Sequence, residues 1–222
     1  MRIGGLLKFT LIDYPGKVAA VIFTQGCNYR CPFCHNPELV NPELFNDPLD
    51  TRDVFDFLEK RRGQLQGVVI TGGEPTIHED LPQFICSIKD MGFLVKLDTN
   101  GTRPDVVQHL VDDHLLDYIA MDIKSSEESY CKATGVSADI SVIKETASII
   151  RDSGVMYEFR TTALKGVVDE QDVGGIMEII GPGAIHHLKR GSFKSKILNL
   201  GFFDTVGQYS DAEWERIKGG SL

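Results

Sequence analysis

The chain has 222 residues, 42% hydrophobic and 25% charged, a balance that excludes a disordered or fibrous protein and suits one domain over residues 1–222. Its formal charge of −9 argues against nucleic-acid or anionic-membrane binding. The longest apolar run, Val18–Phe23, falls far short of the ~20 residues of a membrane helix, and no signal-peptide core opens the chain, so a cytoplasmic location is expected.

Taken in chain order, β-branched apolar runs predict strands at Val18–Thr24, Gly67–Thr71, Phe93–Asp98, Asp117–Met121 and Val155–Thr162, with weaker ones near Ile185–Leu188 and Lys196–Leu200. Helices are predicted between them. Asp50–Arg61 carries Val54, Phe57 and Leu58 at helical spacing, and Leu81, Phe84, Ile85 and Ile88 mark the next helix. Pro104 suits the first turn of a third, Asp139–Asp152 stops at Gly154, and Asp169–Ile180 stops at Gly181. Ser210 and Glu213 form a capping box for a last helix containing Trp214 and Ile217. About six strand–helix alternations imply parallel βαβ units, too few for a closed eight-stranded barrel. An open barrel-like arc or a doubly wound sheet remains, and either puts its chemistry at the carboxyl ends of the strands.

Five cysteines are an odd number, and three of them, Cys27, Cys31 and Cys34, fall within eight residues on the loop leaving the first of these strands. That is a metal-ligand pattern rather than a disulfide framework. A four-iron cluster ordinarily takes four thiolates, so a three-cysteine loop leaves one iron free to bind a small molecule. The competing reading is a zinc site of the three cysteines with His35, a permitted ligand set, in a zinc-stabilised interaction domain. Structural zinc sites usually draw ligand pairs from two separate places, and these ligands share one loop at the mouth of an α/β sheet.

Cys27-x3-Cys31-x2-Cys34, with Phe33 before the last cysteine, resembles the signature of the radical S-adenosylmethionine (radical SAM) superfamily. The resemblance implies a partial (β/α)6 barrel of parallel strands. It also implies a [4Fe-4S] cluster on the three cysteines, whose open iron chelates S-adenosylmethionine and, once reduced, splits it to a 5′-deoxyadenosyl radical.

Later strand ends add to this resemblance. Gly72-Gly73-Glu74-Pro75 is similar to the element by which the family holds the methionine amino group; by itself it would read as a glycine turn with a surface carboxylate. Asp98-Thr99-Asn100 and Asp122-x-Lys124 resemble segments of the pyruvate formate-lyase activating enzymes that hold the ribose and carboxylate ends of the cofactor. The same segments imply a monovalent cation near Asp98 and Asp122. Arg160, late in the fifth strand, suits either the cofactor carboxylate or a structural ion pair. His186 and His187 read as packed or surface residues, Cys86 as packing beside an apolar stripe, and His78, His109 and His114 as solvated; Cys131 has no assigned role.

The opening Gly4–Lys17 and Cys34-His35-Asn36-Pro37 look like one subgroup, the activating proteins of anaerobic ribonucleoside-triphosphate reductases. That resemblance implies a glycyl-radical enzyme as partner and a low-potential electron donor such as flavodoxin or ferredoxin. A small-molecule enzyme resembling 7-carboxy-7-deazaguanine synthase is the second expectation.

Overall fold

A computed structural model describes residues 1–191 and 197–219. One sheet runs through them in the order β1(Ile3–Thr10), β2(Ala19–Thr24), β3(Gly67–Gly72), β4(Leu94–Thr99), β5(Tyr118–Asp122), β6(Met156–Ala163), β7(His186–Arg190). Strands β2 to β7 are parallel, and β1 pairs with β2 antiparallel. Because this spatial order never reverses, every crossover lies on one face of the sheet. The open arc is therefore the observed architecture.

The crossovers carry helices α1(Pro37–Val40), α2(Thr51–Lys60), α3(Leu81–Asp90), α4(Pro104–Asp112), α5(Glu127–Thr134), α6(Ile140–Asp152) and α7(Glu170–Ile180), and α8(Asp211–Gly219) follows β7. Local chemistry accounts for most boundaries. Asp50 caps α2 by accepting from the Arg52 amide at 2.9 Å, and Asp139 caps α6 by accepting from Ser141 at 3.0 Å. Gly154 and Gly181 follow α6 and α7 with φ of +75° and +81°, and Ser210 and Glu213 bond reciprocally ahead of α8.

Alternation along each strand splits its side chains between two environments. Ile22, Ile70, Leu97, Ile119 and Phe159 are fully buried against the helices, each such burial contributing about 1.5–3 kcal/mol. The inner surface of the arc is different. At its lower end Tyr14, Ala19, Val21 and Val69 pack together. Tyr14 stands edge-on to Tyr118 with centroids 6.0 Å apart, and Gly67 makes room for it: a Cβ there would lie 2.9 Å from the Tyr14 ring.

Three parts of the fold depart from the sequence pattern. β1 was not signalled, because Gly4-Gly5 interrupts its alternation. α5 was not signalled either, since Glu127–Thr134 has no continuous apolar stripe. The strand expected near Lys196–Leu200 is corrected: Lys196 lies outside the described residues, and Ile197–Asn199 are irregular and lead into a 3-10 turn at Leu200–Asp204. Among the described residues, no helix is long and apolar enough to cross a membrane.

Candidate functional site

The loop leaving β2 is zipped to the loop leaving β3 through main chain. Gly73 N–H donates to Thr24 O at 2.9 Å, and Glu74 N–H donates to Gly26 O at 2.8 Å. The approach is so close that a Cβ on Gly73 would lie 1.9 Å from Gly26 O. Only glycine fits there. Further along, the Cys34 and Pro32 carbonyls accept from the Leu198 and Asn199 amides, both at 3.0 Å, and Phe33 packs on Phe202 at 6.1 Å.

These loops and the ends of β3, β4 and β5 enclose a cavity of about 250 Å³. Cys27, Cys31, Phe33 and Cys34 line one side; Gly72, Gly73 and Glu74 form another; Asp98, Thr99, Asn100, Asp122 and Lys124 complete it. Pro75 is buried in the 3-10 turn just beyond. Arg160 lines an adjoining recess with Phe33, Asp122 and Lys124. Residues scattered over more than 130 positions of sequence thus meet at one edge of the sheet.

Burial pushes the Cys27 thiol up to about 12 and the Cys31 thiol up to about 11, and raises Cys34 as well. Lys124 opposes the shift at all three. Binding as thiolates therefore releases protons, and the Lys124 ammonium stands where it offsets the resulting negative charge. Among the described residues, no three His, Cys, Asp or Glu side chains converge closely enough to hold a single metal ion, while Cys27, Cys31, Cys34 and His35 all line this cavity. Three thiols spread around one cavity fit a cluster in which each thiolate holds a different iron.

Glu74 is 1% exposed, and its carboxylate accepts from Thr76 N (3.1 Å), Thr76 Oγ1 (2.5 Å), Thr99 Oγ1 (2.8 Å) and Asn100 N (2.7 Å). Burial raises its pKa while these four donors oppose the rise. The side chain read from sequence as an amine acceptor is thus also a brace between the ends of β3 and β4. Glu74→Gln places an NH2 group among converging donors and should weaken S-adenosylmethionine binding about 10-fold while iron content holds. Equilibrium binding to the iron-loaded protein checks this.

On the inner surface, the Arg160 guanidinium bridges Asp122 (Nε to Oδ1, 2.9 Å) and Asp98 (3.2 Å), with Glu158 at 3.8 Å. Lys124 bonds Asp122 at 3.1 Å, and fully buried Lys96 pairs with Asp98 while lying over the Tyr118 ring. Burial alone would raise the Asp122 carboxyl, but Arg160 and Lys124 hold it well below the ordinary carboxylate range.

Several residues of the site carried no sequence signal. Tyr29 and Thr162 line the cavity, and Asn28 accepts from Asn100 Nδ2 at 2.8 Å. Lys96 could have been found, because a lysine two residues before Asp98 in a buried strand needs an anionic partner. Cys86 corrects an expectation. It is exposed, because the apolar stripe of α3 runs through Leu81, Phe84, Ile85 and Ile88 and leaves position 86 off the core face. His78 is half-buried rather than solvated; His186 packs with Nε2 2.9 Å from Thr161 Oγ1, and His187 is exposed 3.6 Å from Glu158.

The sequence profile of the Radical SAM superfamily matches residues 21–175, from within β2 into α7. The chain belongs to that superfamily. The family implies S-adenosylmethionine and a four-iron cluster, and this chain is an enzyme of that type. It is 35% identical, over 80% of its length and 75% of the relative's, to a protein described as a glycyl-radical enzyme activating enzyme in Methanocaldococcus jannaschii. It is 31% identical to the pyruvate formate-lyase-activating enzyme of Clostridium pasteurianum over 60% of this chain and 57% of that one. Among solved structures, Streptococcus suis SuiB bound to S-adenosylmethionine shares the fold, with a TM-score of 0.65 at 16% identity, over 90% of this chain and 45% of that one.

Proposed function

We propose that this protein generates a glycyl radical on a partner enzyme, and that the partner belongs to the anaerobic ribonucleotide reductase class. The observation that carries the reading is the 35% identity to an activating enzyme across four-fifths of the chain. The subclass rests on the opening Gly4–Lys17 segment and on Cys34–Pro37. When bound, the cluster and S-adenosylmethionine supply, after one-electron reduction, a 5′-deoxyadenosyl radical that takes a hydrogen atom from a glycine Cα, with methionine and 5′-deoxyadenosine as products.

In this reading Cys27, Cys31 and Cys34 hold three irons, and the bare backbone at Gly72-Gly73 admits the methionine end of the cofactor. Glu74 keeps the β3 and β4 ends in register for that contact. Asp98, Thr99 and Asn100 face the ribose; Lys124 and Arg160 supply positive charge for the carboxylate. Phe33 dries the reacting carbon, which protects a radical from solvent, and buried Pro75 fixes the turn that follows Glu74. The Arg160 guanidinium already stands between Asp98 and Asp122, so we assign it the place of the monovalent cation that the sequence resemblance suggested. The electron comes from a low-potential donor of the flavodoxin or ferredoxin class, and the chemistry runs in the cytoplasm.

The test is anaerobic reconstitution with iron and sulfide, reduction, and addition of S-adenosylmethionine with an anaerobic ribonucleotide reductase. A glycyl electron paramagnetic resonance (EPR) signal on the partner, with matching 5′-deoxyadenosine, is expected. Turnover of a small-molecule substrate with no signal on the partner would refute the reading. Brief aeration should bleach the reconstituted protein and stop 5′-deoxyadenosine formation, since an iron without a protein ligand is open to oxidants; absorbance and chromatography check both.

A further inference from the structure

Helix α5 packs against the cysteine loop in the span between the first two ligands. The Arg30 amide donates to the carbonyl of Thr134, the last residue of the helix, at 2.8 Å. Gly135 follows with φ +70°, and a Cβ there would lie 2.3 Å from Arg30 O and 3.0 Å from Arg30 C. One turn earlier, fully buried Tyr130 stands edge-on to Tyr29, with ring centroids 6.4 Å apart at 70°. Arg30 turns its own guanidinium back onto Cys27 O at 2.6 Å and Tyr29 O at 2.8 Å.

The other end of the helix is moored to the following βα unit. Ser125 Oγ donates to Val167 O at 2.8 Å, Ser126 pairs with Asp172 at the start of α7, and Gly175 leaves room for Ser126, which a Cβ would approach to 2.8 Å. The helix is therefore fixed at both ends. Asn28, Tyr29 and Arg30 belong to no strand or helix, and left to themselves they would sample many separations of Cys27 from Cys31, an entropy that ligand binding would have to overcome.

We infer that Tyr130 and Gly135 are positioning residues for the iron–sulfur cluster. They seat Tyr29 and Arg30 on the C-terminal turn of α5 and so hold Cys27 and Cys31 at the separation the cluster needs. Groups that orient metal ligands from behind commonly change retention about 10–100-fold when altered. The inference rests on the cluster assignment to Cys27, Cys31 and Cys34 and on nothing about the partner.

The test compares Gly135→Ala with Gly154→Ala. Both glycines have positive φ, +70° and +75°, but a Cβ on Gly154 meets nothing within 4 Å. The backbone penalty is therefore shared, and only Gly135→Ala pushes on the cysteine loop. Each full-length variant is reconstituted anaerobically, desalted, and read for iron and acid-labile sulfide per chain and for the EPR spectrum after reduction, with and without S-adenosylmethionine. Gly135→Ala should retain iron about 10-fold less well and show an altered spectrum, while Gly154→Ala loads like the unaltered chain.

Equal iron and identical spectra in the two variants would overturn the inference. If Gly135→Ala cannot be recovered folded, Tyr130→Phe and Tyr130→Leu decide. Phe keeps the ring edge on Tyr29 and should load normally; Leu removes it and should lose iron, and equal loading of the two would overturn the inference. An unaltered chain that takes up no iron and sulfide would instead refute the cluster assignment itself.

Discussion

Alanine at Cys27, Cys31 or Cys34 is expected to reduce 5′-deoxyadenosine formation to background. Three thiols line the cavity, and a four-iron cluster already has one thiolate fewer than its usual four. Losing another leaves two of four irons without a protein ligand. The fold should survive, since removing one sulfur typically costs about 1 kcal/mol. Near-native circular dichroism with iron well below that of the unaltered protein would therefore separate ligand loss from unfolding. Any single-alanine variant that still makes 5′-deoxyadenosine would remove that cysteine from the ligand set.

Arg160→Met should be the most destabilising change on the inner surface of the arc. Asp98, Asp122 and Glu158 all face this guanidinium, and the Asp98 and Glu158 side chains are only 15% and 14% exposed. Removing it leaves buried carboxylates with Lys96 and Lys124 as their remaining cations, a loss of about 3 kcal/mol or roughly 10 °C in Tm for a chain of this size.

The sign of the pH dependence follows from Asp122, whose folded pKa is depressed. Its contribution is fully present above the unfolded carboxylate pKa and is lost as pH falls through the lowered folded value. In the Met variant Asp122 loses the support of Arg160, so less of its stabilisation remains to be lost on acidification. The Tm gap between variant and parent should accordingly hold at neutral pH and narrow as pH falls from about 5 towards 3. A gap that widens would mean that Arg160 is not what holds Asp122 ionised. Cofactor affinity should fall in the same variant, because Arg160 orders both Asp98 and Asp122.

What was legible in sequence had a local cause. Capping residues such as Asp50, Asp139 and the Ser210–Glu213 pair act within three residues of themselves, so their helices begin where local chemistry places them. Buried strands announced themselves through runs such as Val68-Val69-Ile70, because both faces of a parallel strand are covered. β1 and α5 escaped because their stability comes from tertiary partners. The first borrows the edge of β2, and the second is seated between the cysteine loop and α7.

The sequence alone determined which groups are on offer, three thiols on one loop and two glycines at the next strand end, since residue type and spacing bear directly on what a metal or a close backbone approach requires. Whether those groups would meet was decided by the non-reversing strand order, which brings the ends of β2 to β5 to one cavity. Tertiary structure also decided that Glu74 spends its carboxylate on Thr76, Thr99 and Asn100 and that Arg160 stands between Asp98 and Asp122. Those partners lie from 2 to 62 residues away, and most of them become neighbours only when separate strands align.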